Sequence, residues 1–126
     1  MKIINLFAFE QVYPKLKELP LNIKTSYTLS KIHQLALLDI EFYKNSLSNI
    51  INKYGQKDEE GNLKVVDDNF IPIVEDELEK CQKEIRELEN LEIDNYNSYK
   101  ISIEDLVNVE LSPEDLDNLS AFLKED

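Results

Sequence analysis

The chain has 126 residues, 42% of them hydrophobic and 32% charged, which suits one folded domain and excludes both a disordered tract and a membrane-embedded chain. The formal net charge of −12 is unevenly spread: residues 1 to 55 hold seven lysines against four acids, whereas residues 56 to 126 hold seven basic against 22 acidic groups. So acidic a second half repels phosphate backbones and argues against direct nucleic-acid binding, although its carboxylates are suited to imitate nucleic acid toward a basic protein groove.

A single cysteine, Cys81, excludes an internal disulfide and a cysteine zinc cage, and an intracellular compartment is expected. The N-terminal apolar run meets Glu10 and Lys15 before the core of a signal peptide is complete. No window approaches the roughly 20 apolar residues of a membrane span.

In chain order, a short helix is expected over residues 5 to 18, with Pro14 inside it and Pro20 closing it. Leu29, His33, Ala36, Ile40, Tyr43, Leu47, Ile50 and Tyr54 then recur at steps of three and four, with Ile32, Leu35, Phe42 and Ile51 widening the stripe. That pattern predicts one helix over residues 24 to 54, roughly 45 Å long. Asn22 or Thr25 is placed to cap its start, and Gly55 to close its end in a left-handed conformation.

Residues 55 to 71 carry an acidic turn, Asp58-Glu59-Glu60-Gly61-Asn62, followed by Leu63, Val65, Val66, Phe70 and Ile71. Turn chemistry beside β-branched residues predicts a small β-hairpin or extended tip. Val74, Leu78, Cys81, Ile85 and Leu88 define a second helix over residues 72 to 90, opened by Pro72 and by Glu75, Asp76 and Glu77 at the positive end of its dipole. Residues 92 to 101 read as extended and as a strand partner for 63 to 66. Residues 102 to 124 hold a ten-residue repeat: Ser102-Ile103-Glu104-Asp105-Leu106 is echoed by Ser112-Pro113-Glu114-Asp115-Leu116. Each is a helix-capping signature, predicting two short helices that tuck Leu106, Leu116, Leu119 and Phe122 onto the longer ones.

The expected fold is therefore a single domain, 1 to 126, mainly α with a small β element. Its centre is a long antiparallel helical hairpin, 24–54 against 72–90, with the tip at one end and short flanking helices.

Reactive constellations are scarce in this arrangement. Aligning Gly61 with the invariant glycine of a calcium-binding EF-hand loop puts Gln56 first and Asp67 last, where an aspartate and a bidentate glutamate are required. No Gly-rich run with a Gly-Lys-Ser/Thr ending is present to cradle phosphate. In the hairpin register His33 lies about 20 Å from Cys81, too far for a nucleophilic dyad. His33 reads as a boundary histidine with a satisfied ring, and Cys81 as an inert core thiol. The carboxylates of the second helix pair with Lys80, Lys83 and Arg86 at helical spacing, as on a solvated face. No catalytic residue, cofactor or metal is expected, and the chain does not read as an enzyme.

The loop Tyr54-Gly55-Gln56-Lys57-Asp58-Glu59-Glu60-Gly61-Asn62 and the tail Leu111-Ser112-Pro113-Glu114-Asp115-Leu116 resemble DUF1617, a family of small tailed-phage and prophage proteins. The resemblance spans roughly residues 5 to 123. It implies a viral origin and a helical-hairpin layout, and no reaction. Arginines that mark the start of the long helix in that family are replaced here by Tyr27 and Thr28.

The expected function is that of a non-enzymatic phage accessory protein that binds a viral or bacterial host protein and self-associates. It would act in the cytoplasm of the bacterial host, without a membrane. Alternatives are an acidic nucleic-acid mimic that inhibits a host defence or transcription protein, and a virion structural or assembly component. Candidate partner-binding residues are Tyr13, Phe42, Tyr96 and Tyr99, with the acidic tip Asp58, Glu59 and Glu60; for the aromatic residues, ordinary packing is the alternative.

Overall fold

The computed structural model describes residues 1–65 and 71–124 and is mainly helical. Four α-helices occur among these residues: α1 (Asn5–Leu16), α2 (Ile23–Tyr54), α3 (Leu78–Glu89) and α4 (Pro113–Leu119), with 3-10 turns at Glu75–Glu77, Ile103–Leu106 and Ser120–Phe122. The chain divides into two compact units, Met1–Ile40 with Leu91–Asp126, and Glu41–Asn90; α2 contributes to both.

In the first unit α1 buries Leu6, Phe9, Val12 and Leu16, whose spacing of three, three and four follows one helix face. Pro14 lies in the last turn, where its missing N–H forfeits one helical bond, and the helix ends two residues later at Leu16 rather than at 18. The first part of α2 faces the same core with Thr25, Leu29, Ile32, Ala36 and Ile40, all buried. Its start is capped as expected: the Asn22 side-chain oxygen accepts from the Thr25 N–H at 2.8 Å.

The C-terminal segment closes this core. Ser112 and Asp115 form a complete capping box, with Ser112 Oγ accepting from the Asp115 N–H at 3.1 Å and Asp115 Oδ2 from the Ser112 N–H at 3.0 Å. The first copy of the repeat also caps, Ser102 Oγ accepting from Glu104 N–H, but produces only the 3-10 turn Ile103–Leu106. Leu106, Leu119 and Phe122 are buried. Phe122 meets Phe9 of α1 edge-on at 5.1 Å, and Lys15 of α1 donates to Asp115 of α4 at 2.6 Å. The tail's docking partner is thus α1, where the sequence pointed to the long helices.

The second unit consists of the later part of α2, the loop and α3. Among the described residues no strand forms, so the expected β element reduces to isolated bridges, Gly55 with Ile73 and Lys57 with Leu63. A short two-stranded ribbon with little packing on either face lacks the support a ladder needs. Residues 92 to 101 pair elsewhere than expected: Glu92 bridges Lys2, and Ile101 bridges Leu123. Val66, Asp67 and Phe70 lie outside the described residues.

The start of α3 is also later than the periodicity implies. Val74 donates to the Tyr54 carbonyl at 2.9 Å and is extended, with ψ of 122°, so the chain there is committed to the end of α2 before helix can begin. Gly55 does not take the expected left-handed conformation; its N–H donates to Ile51 O at 2.7 Å. Its glycine is required by space: a Cβ would fall 2.7 Å from the Ile51 oxygen and 2.7 Å from Leu63 Cδ2. The left-handed position is Gly61, at φ 84°, with open space around it.

Two glycines therefore fail for different reasons when given a methyl group. Gly55→Ala should cost about 1–3 kcal/mol by overpacking, and Gly61→Ala about 1–2 kcal/mol by backbone strain alone. Urea unfolding of both variants checks this. A Gly→Asn change separates them, since asparagine tolerates the left-handed region: it should recover stability at position 61 and not at 55.

Candidate functional site

The acidic tip is organised by one carboxylate. Asp58 Oδ1 accepts from the Glu60 N–H at 2.9 Å and the Asn62 N–H at 3.0 Å, while the Gly61 N–H bonds the Asp58 carbonyl at 3.0 Å and the Asp58 N–H bonds Asn62 O at 2.8 Å. Asp58 thus spends an oxygen on its own turn, as aspartate commonly does in this position. Glu59 and Glu60 are exposed. Among the described residues no group of three His, Cys, Asp or Glu side chains converges to hold a metal ion.

The candidate aromatic residues separate into three environments. Phe42 is exposed on α2, at 52%. Tyr13 is half-buried and packed, its ring 4.1 Å from that of His33 and nearly parallel at 11°, and Tyr99 is half-buried. Tyr96 is 1% exposed and cannot present a surface. It packs edge-on against Phe122 at 5.9 Å and donates its hydroxyl to Asp39 Oδ2 at 2.5 Å. Burial, and then the Asp39 carboxylate, push its phenol well above the ordinary range.

A polar constellation inside the first unit was not foreseen. His33 Nδ1 lies 2.8 and 3.0 Å from the two carboxylate oxygens of Glu10, with both side chains partly buried. A carboxylate at Nδ1 favours the tautomer protonated there and orients the ring. The sequence did mark His33 as a boundary residue with a satisfied ring; it held no sign that α1 would supply Glu10 as the partner. A small cavity of about 200 Å³ lies further along the same pair of helices, lined by Tyr13, Leu16, Lys17, Ser26 and Leu29.

The second unit has a different character. Among its described residues only Tyr54, Gly55 and Cys81 are buried, whereas Phe42, Val65, Val74 and Leu78 are exposed and Leu47, Ile50, Ile51, Ile85 and Leu88 are half-open. Cys81 is a core thiol, its pKa raised by burial and then by the nearby Glu84 carboxylate, which disfavours the reactive thiolate. Glu84 binds Lys53 at 3.1 Å, and the Tyr54 hydroxyl together with Lys53 holds its carboxyl below the usual range.

Comparison with protein-family models, with curated proteins and with solved structures yields no match. No helix among the described residues is long and apolar enough to cross a membrane.

The Tyr96–Asp39 bond carries a pH signature. Because folding raises the phenol's pKa above its ordinary 10.0, the stability it contributes is complete below pH 10 and declines as the pH rises beyond it. Tyr96→Phe should lower stability at pH 7 by about 1–3 kcal/mol, since Asp39 is left without its donor. The variant should also lose stability less steeply than the parent between pH 10 and 11, as read by denaturant midpoints.

Proposed function

We propose that this chain is a non-enzymatic accessory protein that binds other protein, and that it self-associates through Glu41–Asn90. The observation that carries the reading is the half-open apolar surface of that unit, where Phe42, Val65, Val74 and Leu78 remain in water. Two helices packed together bury one seam, and the apolar side chains left in water on such a pair are available to an interaction surface. The Lys53–Glu84 ion pair and the Val74–Tyr54 bond support reading the later part of α2 and α3 as an antiparallel hairpin. Two such hairpins related by a two-fold axis would complete a four-helix bundle and cover the open faces of both.

The likeness of the Tyr54–Asn62 loop and the Leu111–Leu116 tail to the DUF1617 family supports a phage-encoded protein acting in the cytoplasm of a bacterial host. An acidic nucleic-acid mimic makes the opposite demand on salt. The unit 41 to 90 holds seven basic and 13 acidic residues, so two copies repel and added salt should strengthen their association, whereas binding to a basic groove should weaken.

Analytical ultracentrifugation between micromolar and millimolar concentration tests the proposal. A dimer should form and tighten as sodium chloride rises from about 50 to 500 mM, a span over which surface charge is progressively screened. Phe42→Ser with Leu78→Ser should shift the equilibrium to monomer. The two side chains are about half exposed, at 52% and 45%, so monomer stability should fall by only about 1 kcal/mol for each. A parent chain that stays monomeric throughout would remove the main support for this reading.

A further inference from the structure

The first unit carries an open cavity of about 530 Å³ lined by Lys100, Ser120, Ala121, Leu123 and Lys124. In a chain of net charge −12, the charged side chains on that wall are lysines among the described residues. The wall is assembled by backbone pairing. Ile101 N–H donates to Phe122 O at 2.7 Å and Lys124 N–H to Ile101 O at 2.9 Å, which brings residues 100–101 alongside 122–124.

Lys100 is already held in place, its ammonium donating to the Ala121 carbonyl at 2.7 Å. An ammonium has three donors, so two remain for a ligand, and a side chain fixed beforehand loses less freedom on binding. Lys124 adds a second cation, and the Ser120 hydroxyl a neutral donor. Ala121 and Leu123 supply apolar wall. The simpler account, that Lys100 only satisfies a carbonyl at the end of the tail, explains neither the second lysine nor the hollow between them.

We propose that this cavity binds a small anionic ligand, a carboxylate or phosphate group attached to a short apolar body. Its volume lies within the roughly 300–1,000 Å³ usual for ligand clefts. The anion would be shared between the ammonium groups of Lys100 and Lys124, with charge-assisted hydrogen bonds supplying affinity and the apolar wall selecting the body.

Nuclear magnetic resonance titration of the full ¹⁵N-labelled chain tests this, with inorganic phosphate and with butyrate as probes and potassium chloride at matched ionic strength as the control. Saturable shifts are expected at the amides of residues 100, 101 and 120 to 124, and not with chloride. Saturation by phosphate alone assigns the site to phosphate esters, and by butyrate alone to carboxylates. Lys124 makes no side-chain hydrogen bond or ion pair among the described residues, so Lys124→Gln should keep the parent spectrum elsewhere and weaken binding about tenfold, the scale of one charge-assisted contact. Lys17→Gln, in the cavity of about 200 Å³ between Tyr13 and Leu29, should leave binding unchanged. The proposal is overturned if neither probe saturates, or if the two variants weaken binding equally, which would reduce the effect to general charge.

Discussion

The aromatic contact among Phe9, Phe122 and Tyr96 is what the first unit depends on. Phe122 stands edge-on to both other rings, so one side chain from the tail joins α1 to the segment after Leu91. Tyr96 then carries the link onto α2 by its bond to Asp39. Buried aromatic side chains contribute large apolar areas, and edge-to-face pairs add about 0.5–1.5 kcal/mol beyond that area. The hydroxyl makes the arrangement directional, because a buried phenol without a partner would be costly. Four stretches far apart in sequence are thereby held to one geometry.

The second unit is built by another rule. It has few fully buried side chains, and its loop is held by local backbone bonds: Gln56 to Pro72, Lys64 to Gln56, and the turn closed on Asp58. Hydrogen bonds of this kind set shape but contribute modest net stability, about 0.5–1.5 kcal/mol each. With few buried side chains of its own, such a unit gains from burial against another surface. The proposed self-association follows from that difference in construction, while the lysine-lined cavity belongs to the better packed unit and is independent of it.

A polar cluster lies beside the aromatic one. Glu10 and His33, with Tyr13 stacked on the imidazole, tie α1 to α2 by a polar contact next to the buried Phe9 and Ile32. Burial of each polar group is offset by the other, the usual condition for such residues near a core. The pair leaves the imidazole oriented, yet the described residues gather no metal-binding group.

Periodicity and capping chemistry located α1, α2 and α4 to within about two residues, since both act locally, but set the start of α3 six residues early and expected a helix at Ser102 where a 3-10 turn forms. The stripe from Leu29 to Tyr54, the Asn22 cap and the Ser112 capping box each work through bonds or faces one or two turns long. Gly61 was likewise legible as a turn residue. What only the tertiary structure decided involves partners distant in sequence: the burial of Tyr96, the Glu10–His33 pair, the docking of the tail on α1, and the steric rather than conformational need for Gly55. The physical reason is that a local pattern states which groups must be satisfied, while the identity of the group that satisfies them depends on how far-separated segments close around a shared core.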